Sequence, residues 1–151
     1  MRIEFGSIGK VSNTVDTQKD DSWGSVVSTI EIDAPYQAGL TGLSDFSHVI
    51  IVYYLDQAHF DANKHLIRQP RNRSDMPAVG IFAQRAKNRP NPIGITAVEL
   101  ISVENDGIAV RGLDAIDGTP ILDIKPYFPQ YDLKENTVVP EWSIHLMENY
   151  F

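Results

Sequence analysis

Apolar positions along this chain recur mostly at period two, in short runs cut by glycine, proline and aspartate, which is the signature of strands joined by turns. Ile3, Phe5 and Ile8 predict a first strand that ends near Val11. Residues 26–32 are rich in β-branched side chains and predict a second, broken by Ala34-Pro35-Tyr36. Residues 37–45 suggest a short helical turn. Residues 48–55 are nearly all apolar, so they predict a central strand covered on both faces. Residues 61–77 read as a long, irregular basic loop, and residues 79–82 as a short strand. Residues 93–103 and 108–113 predict two strands joined by the Asn105-Asp106-Gly107 turn. Strand, Asp-Gly turn, strand argues an antiparallel, all-β sheet. No long apolar helix alternates with the strands, so a βαβ nucleotide-binding fold has little support.

One stretch has no period at all. Residues 80–94 place Arg85, Lys87, Asn88, Arg89, Asn91 and two prolines between apolar runs. Pro90 and Pro92 fix their own φ and bias Arg89 and Asn91 away from the α region. The segment is therefore a pre-ordered path carrying polar groups, which fits either a ligand site or a structural turn at a sheet edge.

Charge sharpens this. The 151-residue chain carries a formal net charge of −7. Residues 64–89 nevertheless hold seven basic residues against Asp75 alone, a local +6, leaving −13 for the rest. Bulk charge argues against general nucleic-acid binding, whereas a focused basic patch suits a phosphate-bearing partner. The length fits one domain. The absence of cysteine removes disulfides, thiol nucleophiles and Cys-ligated metals. No membrane-spanning run or signal-peptide start is apparent, so a cytoplasmic location is expected. His59 and His65 lack a carboxylate at ligand spacing, so no metal is expected. Walker A, G-x-G-x-x-G, H-E-x-x-H and G-x-S-x-G patterns are missing.

Other features leave alternatives. Trp23-Gly24 sits in a polar loop, as a lid or as an anchor tucked into the core, and aromatic burial favours the anchor. Asp123, Lys125 and Tyr127 share one face of an extended backbone, suited to polar catalysis or to a plain ion pair. Asp117-Gly118-Thr119 reads as a tight turn with Asp117 bonded to backbone. The apolar end Tyr150-Phe151 would pack on a partner subunit or fold back on its own domain.

Several of these motifs coincide with one family. The segments Gly80-Ile-Phe-Ala-Gln-Arg85, Arg89-Pro-Asn-Pro-Ile-Gly94, Leu43-Ser-Asp-Phe-Ser-His48 and residues 117–127 resemble the TrmO family, also called YaeB or TsaA-like, in the same order over residues 3–128. The resemblance implies a small antiparallel β-barrel with short helical and irregular additions, acting as a homodimer. It implies S-adenosyl-L-methionine as cofactor and N6-methylation of N6-threonylcarbamoyladenosine at position 37 of tRNA. A methyltransferase for another RNA or a small molecule, and a non-catalytic S-adenosylmethionine-binding homodimer, are the alternatives. Carried over by motif, cofactor contacts fall on Trp23, Gly24, Asp56, Gln57, Phe82, Arg85, Ile95, Arg111, Gly112, Leu113 and Asp114. The candidate base is Asp117 or Asp114, and Lys125 or Arg89 would hold a substrate carboxylate or phosphate. Two departures bear on substrate: the loop before the second strand is acidic at Asp20 and Asp21, and Asp56-Gln57 ends the central strand where a His-Gln pair is common.

Overall fold

The computed structural model describes all residues 1–151. Six strands close into an antiparallel barrel in the order β1-β2-β7-β6-β3-β8. They are β1 (Gly9–Ser12), β2 (Val27–Ile32), β3 (His48–Tyr54), β6 (Ile93–Val103), β7 (Gly107–Arg111) and β8 (Pro120–Pro126). Two-residue strands β4 (Ile67–Arg68) and β5 (Val79–Gly80) form a separate ribbon. Short helices α1 (Ala62–His65), α2 (Pro129–Asp132) and α3 (Glu141–Leu146) lie outside the barrel, along with 3-10 turns at Ala34–Leu40, Leu43–Asp45, Pro70–Asn72 and Ile81–Ala83. The all-β barrel expected from the sequence is the fold found. No helix is long and apolar enough to cross a membrane.

The period-two pattern fills the interior. Ile30 and Ile32 of β2, Val49 and Ile51 of β3, Val98 of β6, Ile108 and Val110 of β7 and Ile121 of β8 are all buried in one core. Closure leaves no long strand edge open, which is how a small all-β chain avoids edge pairing.

Three local expectations change. The first strand begins at Gly9, because Ile3 and Phe5 have no partner strand and lie exposed. The central strand β3 is not covered on both faces: Val49, Ile51 and Tyr53 face the core, Ile50 and Val52 are half-buried, and Tyr54 is exposed. A closed barrel has one interior, so its outer face is left to whatever packs on it. The basic segment 61–77 is also more ordered than its composition suggested. Asp61 caps α1 by accepting the Asn63 amide, and the β4–β5 ribbon follows.

Two irregularities position the site. The β3–β8 pairing slips between Val52 and Tyr53, so Val52 faces Asp123 while Tyr53 faces Ile121. Bulges re-aim side chains at barrel rims. The second is Gly94, the partner of Tyr53 on β6: a Cβ there would lie 2.3 Å from the Tyr53 ring. Only glycine leaves room for that ring.

Candidate active site

Asp114 follows β7 and collects donors from three distant parts of the chain. Tyr53 donates its hydroxyl to Oδ1 at 2.9 Å, and Thr96 donates to the same oxygen. Tyr150 donates to Oδ2 at 2.7 Å. Tyr53 and Thr96 also lie within hydrogen-bond distance of each other, both on the inner side of the barrel. Burial, and next the Asp114 charge, push the Tyr53 phenol well above its ordinary range, with the Arg85 guanidinium pulling weakly the other way. The same two causes raise Tyr150, opposed by Arg71. Both phenols therefore stay protonated and donate.

Some of the other candidate residues contact one another or lie at the end of β7. Arg85 donates through Nη2 to the carbonyl of Ile95, which joins the 80–94 loop to the start of β6. Gly24 and Gly112 are neighbours: a Cβ on Gly112 would lie 3.9 Å from the Gly24 carbonyl oxygen. Gly112 has φ +89°, the left-handed turn that swings the chain from β7 to Asp114. Phe82 is 80% exposed and Ile95 is half-exposed, so both present apolar surface. Asp56 and Gln57 lie on the exposed turn after β3, with no side-chain hydrogen bond.

Other candidates lie elsewhere. Trp23 is 2% exposed, so it is an anchor and no lid, with its indole donating to the Lys19 carbonyl. Leu113 is fully buried in the core and offers its side chain to no ligand. Arg111 forms a 2.7 Å ion pair with Glu99, its register partner on the outer face. Lys125 is paired with Asp123 at 2.6 Å, also outside the barrel beside Ile50 and Val52. The plain ion pair is thus the reading the structure supports there, and Lys125 does not join Asp114. Asp117 caps a turn, accepting the Asn13 amide at 3.0 Å. Arg89 is committed to its own loop, donating to the carbonyls of Gln84 and Ala86. Pleat direction explains the separation: Tyr53 and Thr96 point inward, whereas Lys125 and Arg111 stand on outward positions.

Tyr53, Thr96 and Tyr150 were not read as site residues from the sequence. Thr96 left a signal, being a polar residue in the inward series Gly94, Thr96, Val98, Leu100 of β6. Tyr150 stood out only as part of the apolar Tyr150-Phe151 end, which folds back on its own domain; its bond to Asp114 is visible only in the fold. A surface hollow of about 420 Å³ lies between the 34–45 turns and the end of β6; its one ionisable group is Glu104. It lacks convergent polar chemistry, so the Asp114 cluster is the stronger candidate. No group of three or more His, Asp or Glu side chains is gathered as a metal site would be.

Comparison with known proteins bears on the family to which the chain belongs. The family model described as tRNA-methyltransferase O N-terminal domain matches residues 15–133. The chain belongs to this family. A probable S-adenosyl-L-methionine-binding protein of Pyrococcus abyssi is 38% identical to this TrmO-type chain over 125 residues, covering 82% of it and 65% of the relative. The human tRNA (adenine(37)-N6)-methyltransferase is 38% identical over 110 residues, 73% of this chain and 24% of the human protein. A crystal structure of TrmO from Pseudomonas aeruginosa superposes with a TM-score of 0.77 at 28% identity, over 94% of this chain and 62% of that one. The TrmO-type domain described here thus spans less than two thirds of each of these three relatives.

Proposed function

We propose that this protein is an S-adenosylmethionine-dependent methyltransferase whose substrate is N6-threonylcarbamoyladenosine at position 37 of tRNA, acting as a cytoplasmic homodimer. Family membership and the names of the relatives support the reaction class. The observation that carries it to a site is the anchored Asp114 carboxylate, fixed by Tyr53 and Thr96.

The residues present fit the cofactor. S-adenosylmethionine supplies a methyl group on a cationic sulfur. Asp114 offers a fixed anion to its hydroxyl or ammonium donors, as carboxylates do for ribose diols in other folds. Phe82 and Ile95 offer an apolar shelf for the adenine, and the glycine backbone at 24 and 112 permits close approach. Asp114 already accepts three hydrogen bonds, so its geometry suits holding a ligand better than removing a proton. Catalysis would then come chiefly from aligning the amine with the methyl group.

The basic segment supports a polynucleotide partner. Lys87 is exposed and its side chain forms no ion pair or hydrogen bond, and Arg85 and Arg68 carry no acid partner. The acidic loop is less of an obstacle than its sequence suggests: Asp20 lies 3.8 Å from Arg71, which offsets its charge locally. For the dimer, exposed Val27, Tyr54, Phe82, Ile93 and Ile95 supply the kind of apolar surface that a second copy would cover. Calorimetry with S-adenosylmethionine tests the cofactor, and no heat at millimolar ligand sinks it. Mass spectrometry of tRNA nucleosides tests the acceptor: threonylcarbamoyladenosine should gain one methyl group, and an unmethylated nucleoside removes the tRNA assignment.

A further inference from the structure

The C-terminal segment is attached to the barrel in an unusual way. Helices α2 and α3 bury no residue, and Val138, Ile144 and Met147 stand exposed. Of the apolar residues in 133–148 only Trp142 and Leu146 are half-buried, so apolar packing holds this stretch weakly. The attachment is concentrated at residues 149–151, which reach Asp114, Arg71 and the 22–24 edge. The Ser22 amide donates to the Asn149 carbonyl and the Trp23 amide to the Tyr150 carbonyl, both at 2.8 Å. Tyr150 donates to Asp114, with Arg71 over its ring at 5.4 Å. Phe151 lies against Gly24, where a Cβ would meet its backbone at 2.6 Å. Asn149, with φ +62°, makes the turn that brings the chain from α3 to this edge. A second, solvent-exposed tie runs from His145 of α3 to Arg73 and Asp75.

We propose that residues 141–151 are a displaceable strap, latched by Tyr150, that closes over Asp114 and the 22–24 edge and must lift for a ligand to bind there. The strap satisfies one oxygen of Asp114 and two backbone amides. A ligand that takes its place has to bring a hydroxyl or ammonium donor to the carboxylate and an acceptor to the amides. Segments with few buried apolar contacts and exposed hydrogen bonds open at low free energy, so this one is suited to lift without disturbing the barrel. That S-adenosylmethionine is the displacing ligand rests on the cofactor reading above; the latch itself does not.

The test compares wild type with Tyr150→Phe in two measurements. In ligand-free protein, amide hydrogen exchange at Ser22 and Trp23 should quicken roughly tenfold in the variant, while core amides at Ile30 and Val110 keep their wild-type rates. Equal rates at 22 and 23 would overturn the latch. In calorimetry, the variant should bind S-adenosylmethionine about three- to tenfold more tightly, because less of the protein is held closed. Unchanged or weaker binding would make Tyr150 part of the pocket wall and overturn the strap. If neither protein binds S-adenosylmethionine at millimolar concentration, the cofactor reading falls and the exchange result alone decides the strap.

Discussion

The Tyr53 hydroxyl donates to Asp114 across 61 residues of sequence, and its ring fills the space that Gly94 leaves open. The pair couples the barrel interior to the site: the strand that builds the core also aims the carboxylate. Removing Asp114 tests both roles. Asp114→Ala leaves the Tyr53 hydroxyl without its charged partner and should cost about 2 kcal/mol in urea unfolding. Asp114→Asn keeps an acceptor at the same place, so it should fold with a smaller loss while binding of S-adenosylmethionine falls at least tenfold in calorimetry. Retained affinity in the asparagine variant would remove Asp114 from the binding site.

Gly94→Ala should be more damaging than its size suggests. The new methyl carbon would sit 2.3 Å from the Tyr53 ring, so ring or strand must move. Overpacking of this kind costs about 1–3 kcal/mol. The variant's thermal midpoint should drop, and a Gly94→Ala, Tyr53→Ala double variant should recover part of the space conflict. Purely additive losses in that cycle would mean the clash is relieved elsewhere.

Lys125→Met should behave as wild type. Its partner Asp123 and the Nζ atom both lie on the outer face, where screened ion pairs contribute little. Asp123 beside it holds the ammonium above its usual range, yet that pairing is open to solvent. Unchanged methylation rates would confirm that this cation stands apart from the chemistry; a large loss of turnover would return it to the candidate site.

The two phenols at Asp114 set a pH response. Their pKa values are raised above the ordinary 10.0, first by burial and then by the carboxylate. The stability they contribute is fully present below pH 10 and is lost as pH climbs from there toward their folded values. Absorbance titration near 295 nm should show no contribution from Tyr53 at about pH 11, so Tyr53→Phe and wild type should give the same amplitude there. A smaller amplitude in the variant would show that the phenol ionises at that pH in the fold. The urea midpoint of wild type should fall over the same range, and less steeply in Tyr53→Phe.

Alternation and turn chemistry were sufficient to read most of the strands and their antiparallel pairing from the chain itself; closure into a barrel was implied only by the family resemblance. Residues 93–103 form β6 at those bounds, and the Asn105-Asp106-Gly107 turn joins it to β7. These features are local, set by which residues fit a pleated half-buried surface and which accept a turn. The motif around residues 80–94 stood out for the same reason, since prolines and arginines in one loop are visible without a fold. What the loop's polar groups do was not visible there. Arg89 and Asn88 brace backbone, with Asn88 accepting the His59 amide, and Arg85 reaches Ile95. Only the tertiary structure put Tyr53, Thr96, Asp114 and Tyr150 in one cluster and left Lys125 and Arg111 on the other side of the barrel wall. Those assignments depend on barrel closure, on a one-residue slip beside Tyr53 and on a tail that folds back. Each turns on contacts between residues far apart in the chain, which no periodicity records.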